Sequence, residues 1–263
     1  MRVILALGGC VGMVVSRAIV RDLFPASEIA KIFSTLMLIV GVAPIIAPTI
    51  GSWVVVNYSW NMIFYLLSVN AFLLFLAVYF FLPESKKPDP TKSLKIKSVL
   101  KDYKKVISDK TFLFYAFIGS IGSAGLFSYI SGSSFVFIKY FGMKESDFGM
   151  VFGLNAFGYI LGTQFNRLLL NKFSSFLIIK SATFILFGIS LFIISLLFIT
   201  DFSVYLLIGL LFCYLFLLGL LSPNTTALAL TPFSENAGSA SALIGFMQMF
   251  CGAIWSVLVS TLH

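Results

Sequence analysis

The sequence predicts an all-α, polytopic membrane protein, and three observations carry that prediction. Hydrophobic residues make up 59% of the 263 positions and charged ones 11%, against about 25% charged in an ordinary soluble domain. The apolar residues run in continuous stretches close to the ~20 residues a helix needs to cross a bilayer core. Lysine and arginine collect in alternate breaks between those stretches. A soluble globule, a disordered chain and a disulfide scaffold are excluded by this balance. A transmembrane β-barrel is excluded too, because its strands would alternate over short segments.

Eight stretches read as spans, at 2–20, 32–56, 60–82, 112–138, 148–170, 177–199, 203–229 and 238–262. Their breaks are punctuated by residues that do not continue a helix. Pro25 follows the first stretch, Asn57-Tyr58-Ser59 joins the second to the third, and Pro83, Pro88 and Pro90 end the third. The first stretch is not read as a signal peptide, since it lacks a small-residue cleavage site and a long polytopic body follows.

Orientation follows from the basic residues. With the N-terminus outside, Arg17, Arg21, Lys31, nine lysines between 86 and 110, Arg167, Lys172 and Lys180 fall inside. Only Arg2, Lys139 and Lys144 fall outside, as the positive-inside rule requires. The net charge of +8 is therefore a topology signal. No soluble basic domain exists to dock a nucleic acid, and no such partner is expected.

Residues 83–111 form the long hydrophilic stretch and divide three spans from five. Leu94, Ile96, Val99, Leu100, Tyr103, Val106 and Ile107 recur there at three-to-four spacing, with lysines on the other face. The pattern predicts an amphipathic helix on the inner membrane surface; a solvated, partly helical linker is the alternative. Three units follow: 1–82, 83–111 and 112–263.

Enzymatic chemistry has little to stand on. Cys10, Cys213 and Cys251 sit inside apolar runs and read as free core thiols. His263 is the only histidine, so neither a metal cluster nor a Ser/His/Asp set can be assembled. There is no phosphate-cradling GxxxxGK[ST] loop. No reaction, cofactor or metal is predicted. All ten acidic residues fall at span ends or in loops, leaving no carboxylate near the membrane midplane. Arg2 is the nearest thing to an intramembrane charge.

The second span contains Gly41, Ala43, Pro44, Ala47, Pro48, Gly51 and Ser52. Two prolines four apart remove backbone donors and predict a kink, while Ala43, Ala47 and Gly51 form a smooth strip for a neighbouring helix. The strip is either a static packing face or a bending element at a moving interface. Further on, Ser120, Ser123, Phe127, Ser131 and Ser134 share a face of the fourth span. Asn155, Gln164 and Asn166 mark the fifth, and Asn224, Thr225, Thr226 and Gln248 the last two. Such groups either hydrogen-bond between helices or line a shared cavity. A weakly polar, aromatic cavity would suit small lipophilic or amphipathic compounds.

These residues also resemble a known group. The run Arg17-Ala-Ile-Val-Arg21-Asp22, then Ala47-Pro48-Thr-Ile-Gly51, Trp60 with Phe64, and Leu82-Pro83-Glu84 are similar to the Bcr/CflA drug-resistance branch of the major facilitator superfamily. So are Phe148-Gly149 with Phe152-Gly153-Leu154-Asn155-Ala156, the run from Pro223 to Leu230, and the run from Ala237 to Leu243. The resemblance covers nearly the whole chain.

It implies twelve helices in two halves joined by a cytoplasmic loop, with this chain matching helices 4 to 11. Residues 1–82 would then be part of the N-terminal half, 83–111 the interdomain loop and 112–263 most of the C-terminal half. It implies a proton-coupling role for Arg2, which with Gly8 matches the helix-4 signature although Leu5 replaces its glutamine. It implies a packing and gating role for the strip around Pro48, and a cytoplasmic charge cluster of Arg17, Arg21 and Asp22. The implied activity is proton-driven export of small amphipathic drugs across the inner membrane by a monomeric, multi-pass carrier. Two alternatives stay open: a non-transporting remnant of a disrupted or mis-started gene, and a nutrient importer on the same scaffold.

Overall fold

The structure, a computed structural model, describes residues 2–82, 84, 96–196, 198, 202–233 and 236–261. Of residues 2–7, 13, 26, 41–50, 52, 53, 55, 56, 96, 98, 145 and 146 the backbone alone is described. Nine α-helices occur among the described residues, and no strand does. They are α1 (Arg2–Leu23), α2 (Ala26–Asn57), α3 (Trp60–Phe81), α4 (Ile96–Ile107), α5 (Lys110–Ser134), α6 (Glu145–Leu169), α7 (Ser175–Leu196), α8 (Val204–Leu230) and α9 (Ala237–Thr261). A π-helical turn, Phe135–Tyr140, extends α5, and Lys139 lies over the Phe135 ring at 5.5 Å.

All eight apolar stretches are long helices, with ends displaced by a few residues. Among the described residues five are long and apolar enough to cross a membrane: α3, α5 with its π turn, α7, α8 and α9. The other three long helices carry the arginines of α1, the incompletely described strip of α2 and the amides of α6. Pro25 stands at the N-cap of α2, where its missing N–H costs no intrahelical bond. Asp109 caps α5 by accepting from the Phe112 amide at 2.7 Å. The α2 helix runs unbroken through Pro44 and Pro48. The strip that those prolines share with Ala43 and Ala47 lies outside the described side chains.

Two apolar cores hold the bundle. One lies within the C-terminal helices, where Ile178, Ile179, Ala182 and Leu186 of α7 meet Leu215, Leu218 and Leu221 of α8. Close backbone approach makes this possible. A Cβ on Gly162 of α6 would fall on the Phe216 carbonyl, and one on Gly219 of α8 on the Tyr159 carbonyl. Small residues at such crossings let helices gain dispersion contacts that lipid cannot otherwise supply. The second core joins α1 and α2 to the rest. Val20, Ile29, Ala30 and Phe33 pack with Val106, Phe112, Leu230, Phe233 and Ile244. Phe112 and Phe233 meet edge to face at 5.7 Å.

This second core changes the reading of α4. The helix is amphipathic as predicted, over Ile96–Ile107, but its apolar face does not simply lie on a membrane. Val106 is fully buried in protein, whereas Leu100 and Ile107 stay exposed. The end of the bundle where α4 docks is the lysine-rich end. At the opposite end the packing is uneven: Val54 of α2 and Phe137 of the π turn are buried there. Residues 8–12 of α1 are exposed on every face, nothing lies within 4 Å of a Cβ built on Gly8, Gly9, Gly12 or Gly51, and α3 buries no residue.

Candidate functional site

The polar groups of the bundle line a seam between α1–α2 and α5–α9, near the lysine-rich end. Arg21 donates from Nε to the Leu230 carbonyl and from Nη2 to the Thr231 carbonyl, at 3.1 and 2.9 Å. Lys31 donates to Asn171 Oδ1 at 2.7 Å. Asn166 donates to Ser34 Oγ at 2.8 Å, and Gln164 donates to the Ser34 carbonyl at 3.1 Å. Ser241 donates to the Val14 carbonyl at 3.0 Å. Behind this row, Asn224 Nδ2 donates to Asn166 Oδ1 and to the Leu220 carbonyl. Ser34, Asn166 and Asn224 are fully buried, so each amide needs these partners.

Deeper in the same seam stands Arg17. Among the described residues it is the only charged side chain that is buried, at 5% exposure. Its Nη2 donates to Gln248 Oε1 of α9 at 3.2 Å, and its Nη1 lies near Gly245. The hydroxyl of Tyr159 on α6 is its Coulombic neighbour and is itself hydrogen-bonded to Ser222 on α8. No carboxylate among the described residues reaches it. Gly119 leaves room beside Gln248: a Cβ there would meet Thr225 Oγ1 at 3.0 Å and Gln248 Nε2 at 3.4 Å. A small cavity of about 20 Å³, room for one water, is lined by Gly119, Ser123, Tyr159 and Ser222 among others.

The depth of this cluster is set by helix geometry. Gln248 lies eleven residues into α9 from the lysine-rich end, and Tyr159 ten residues from the same end of α6. At ~1.5 Å per residue both are about 15 Å in, half the thickness of a bilayer core. The Arg17 side chain leans toward the N-terminus of α1, away from the lysine-rich end, and so reaches that level.

The predicted residues divide accordingly. Gln248 and Ser123 sit at the Arg17 cluster. Ser120 bonds the Ala116 carbonyl, Ser131 pairs with Ser256, Asn155 donates to the Tyr129 hydroxyl at 3.1 Å, and Phe127 packs on Gly252. These four, with Gln164 and Asn224, serve as bonds and packing within or between helices. Arg17 is not part of a cytoplasmic charge cluster; it is buried, while Asp22 is exposed and Arg21 caps α8. Gly51 faces open space. The side chain of Arg2 lies outside the described ones. Tyr159 and Ser222 carried no sequence mark; an aromatic and a serine in apolar helices are ordinary core residues.

Comparison with known proteins agrees with this architecture. The profile of the Major Facilitator Superfamily matches residues 1–256. An uncharacterized MFS-type transporter, YdgK, of Bacillus subtilis is 32% identical over 254 residues, covering 94% of this chain and 62% of the relative. A bicyclomycin resistance protein homolog of Haemophilus influenzae is 29% identical over 259 residues, covering 97% of this chain and 64% of the relative. Multidrug resistance protein MdtL of a Shewanella species is 28% identical over 249 residues, 92% and 60%. The chain thus spans a little under two thirds of the length of these relatives. It is a multi-pass membrane protein of transporter type, and it belongs to the Major Facilitator Superfamily.

Proposed function

We propose that the protein of which this chain forms part exports small amphipathic compounds across the inner membrane by proton antiport. The observation that supports this reading is the polar seam between two groups of helices, bonded from Arg17 to the lysine-rich end. Rocking of one such group against the other is the movement that alternating access needs. The names of the Haemophilus and Shewanella relatives support a drug as cargo.

Accumulation of a fluorescent dye in an efflux-deficient host tests the reading. Cells producing the whole protein should hold less dye, and an uncoupler should restore it. Dye levels that do not fall overturn the proposal, and a protein-dependent rise in dye would favour the importer.

A second reading concerns residues 1–263 by themselves. Gly8, Gly9 and Gly12 of α1 and Gly51 of α2 face open space and α3 buries no residue, so this stretch by itself should not transport. Uncoupler-sensitive efflux from cells expressing it would refute that.

A further inference from the structure

We propose that the trough between α6 and α7 binds an anionic phospholipid, with one acyl chain in the trough and the phosphate held by Lys172 and Lys180. The inference goes beyond the export reading and needs only the membrane setting.

Apolar surface in lipid is no signal by itself, since the outward faces of a membrane bundle are all apolar. This surface differs in shape. A short loop joins α6 to α7, and both helices pack on α8 far more than on each other. They leave a cavity of about 270 Å³ between them. Leu217 and Leu220 of α8, both buried, form its floor. Leu169 and Phe173 stand on one side, Leu177 and Ile185 on the other, and the last three are exposed along the mouth. From Ser175, where α7 begins, to Ile185 is ten residues. At ~1.5 Å per residue that is about 15 Å, half the thickness of a bilayer core. The trough thus has the depth of one leaflet's hydrocarbon and starts at the lysine-rich end.

Charge selects the occupant. Between Asp147 and Asp201 the sequence has no acid, but it has Arg167, Lys172 and Lys180. Lys172 precedes the lining Phe173 in the loop that closes the trough. Lys180 precedes the lining Ser181 and follows Leu177 by one turn, so it stands at the edge. Its stem leans toward the N-terminus of α7, the end where Lys172 lies. Both lysines are exposed. Arg167 falls on the far side of α6 from Leu169, and Lys31 of α2 is already bonded to Asn171. The acids at this end, Asp22, Glu28, Asp102 and Asp109, belong to α1, α2, α4 and the cap of α5. None of them pairs with Lys172 or Lys180 among the described residues. A neutral lipophile would fill the trough and leave two cations unbalanced. A lipid phosphate balances both at headgroup depth, while its chain follows the apolar walls inward.

The test takes the 263-residue chain in a neutral detergent and titrates it with dioleoyl phosphatidylglycerol or dioleoyl phosphatidylcholine, which share their chains. Native mass spectrometry reads the first bound lipid. Phosphatidylglycerol should bind about tenfold more tightly, as expected for two lysines at a membrane surface. Lys172→Gln with Lys180→Gln, both at exposed positions, should bring the two lipids within about twofold of each other. Lys139→Gln with Lys144→Gln makes the same change of charge at the other end and should leave the preference intact. Ser181→Trp fills the trough but keeps both lysines, and should weaken phosphatidylglycerol by about fivefold or more. Glycerol 3-phosphate, the headgroup phosphate without chains, should not displace the lipid at equal concentration. Equal binding of the two lipids overturns the proposal, as does a preference that survives loss of Lys172 and Lys180 or falls equally in the Lys139 and Lys144 variant. Unchanged binding to Ser181→Trp, or displacement by glycerol 3-phosphate, would reduce the site to surface charge and overturns it too.

Discussion

Arg21 of α1 caps the C-terminus of α8, giving one hydrogen bond to the Leu230 carbonyl and another to that of Thr231. The last carbonyls of a helix have no intrahelical donors and carry the negative end of its dipole. A guanidinium from another helix satisfies both needs at once. The contact spans 209 residues of sequence and ties the two groups of helices at the lysine-rich end.

Removal of this cap should loosen the clamped end. Arg21→Ala strips two charge-assisted bonds from partly exposed carbonyls, a loss of about 1–2 kcal/mol after solvent screening. A Ser34→Cys/Asn166→Cys pair, in a background with Cys10, Cys213 and Cys251 replaced by Ser, reports it. Oxidative crosslinking should be efficient with Arg21 and fall by more than half without it. Unchanged crosslinking would show that the apolar core alone holds the seam.

The buried amide chain should matter to stability. Asn166→Ala leaves Asn224 and Ser34 short of a partner in a region that water does not reach. Interhelical bonds in membrane proteins are modest, so about 1–2 kcal/mol is expected. Thermal unfolding in detergent should fall by several degrees, and a melting temperature equal to that of the unaltered chain would contradict the role.

Two glycines offer a matched contrast. Gly162→Ala would push a methyl onto the Phe216 carbonyl, which cannot move without shifting α8. Overpacking of this kind costs about 1–3 kcal/mol. Gly188→Ala meets nothing within 4 Å and should leave stability unchanged or slightly raised. Equal behaviour of the two variants in a thermal-unfolding assay would refute the close α6–α8 crossing.

Docking of α4 can be tested at Val106, which is fully buried against the bundle. Val106→Asp places a charge among Phe112, Phe233 and Ile244 and should free the helix, seen as faster proteolysis between α3 and α5. Leu100→Asp, at an exposed position, should not change the cleavage rate. Similar rates for both would mean that lipid, rather than protein, holds α4.

Topology is open to a direct check as well. A reporter fused after Lys97 should register as cytoplasmic, because fifteen of the 18 basic residues were assigned to that side from the sequence. A periplasmic signal would invert the orientation.

How much was legible beforehand differs between elements and site. The helices were readable because each apolar run must satisfy its own backbone in lipid, and a helix does this within a single segment. The amphipathic α4 was readable from spacing, yet its docking was not, since the same apolar face serves protein or lipid equally. Among polar residues the sequence named Asn155, Gln164, Asn224 and Gln248 without telling a bond from a cavity wall. Arg17 was misplaced because residue number marks where its Cα sits, while a long side chain carries its charge more than a turn further along the helix.

By itself, then, the sequence determined the membrane as solvent, the helical class, the approximate spans and the likeness to a transporter family. Those follow from composition and from local backbone accounting. Only the tertiary structure decided that one arginine is buried, that another caps a distant helix, and that polar bonds join the two groups of helices near the lysine-rich end. Such facts depend on which residues far apart in the chain come to lie at the same depth, and no local pattern encodes that.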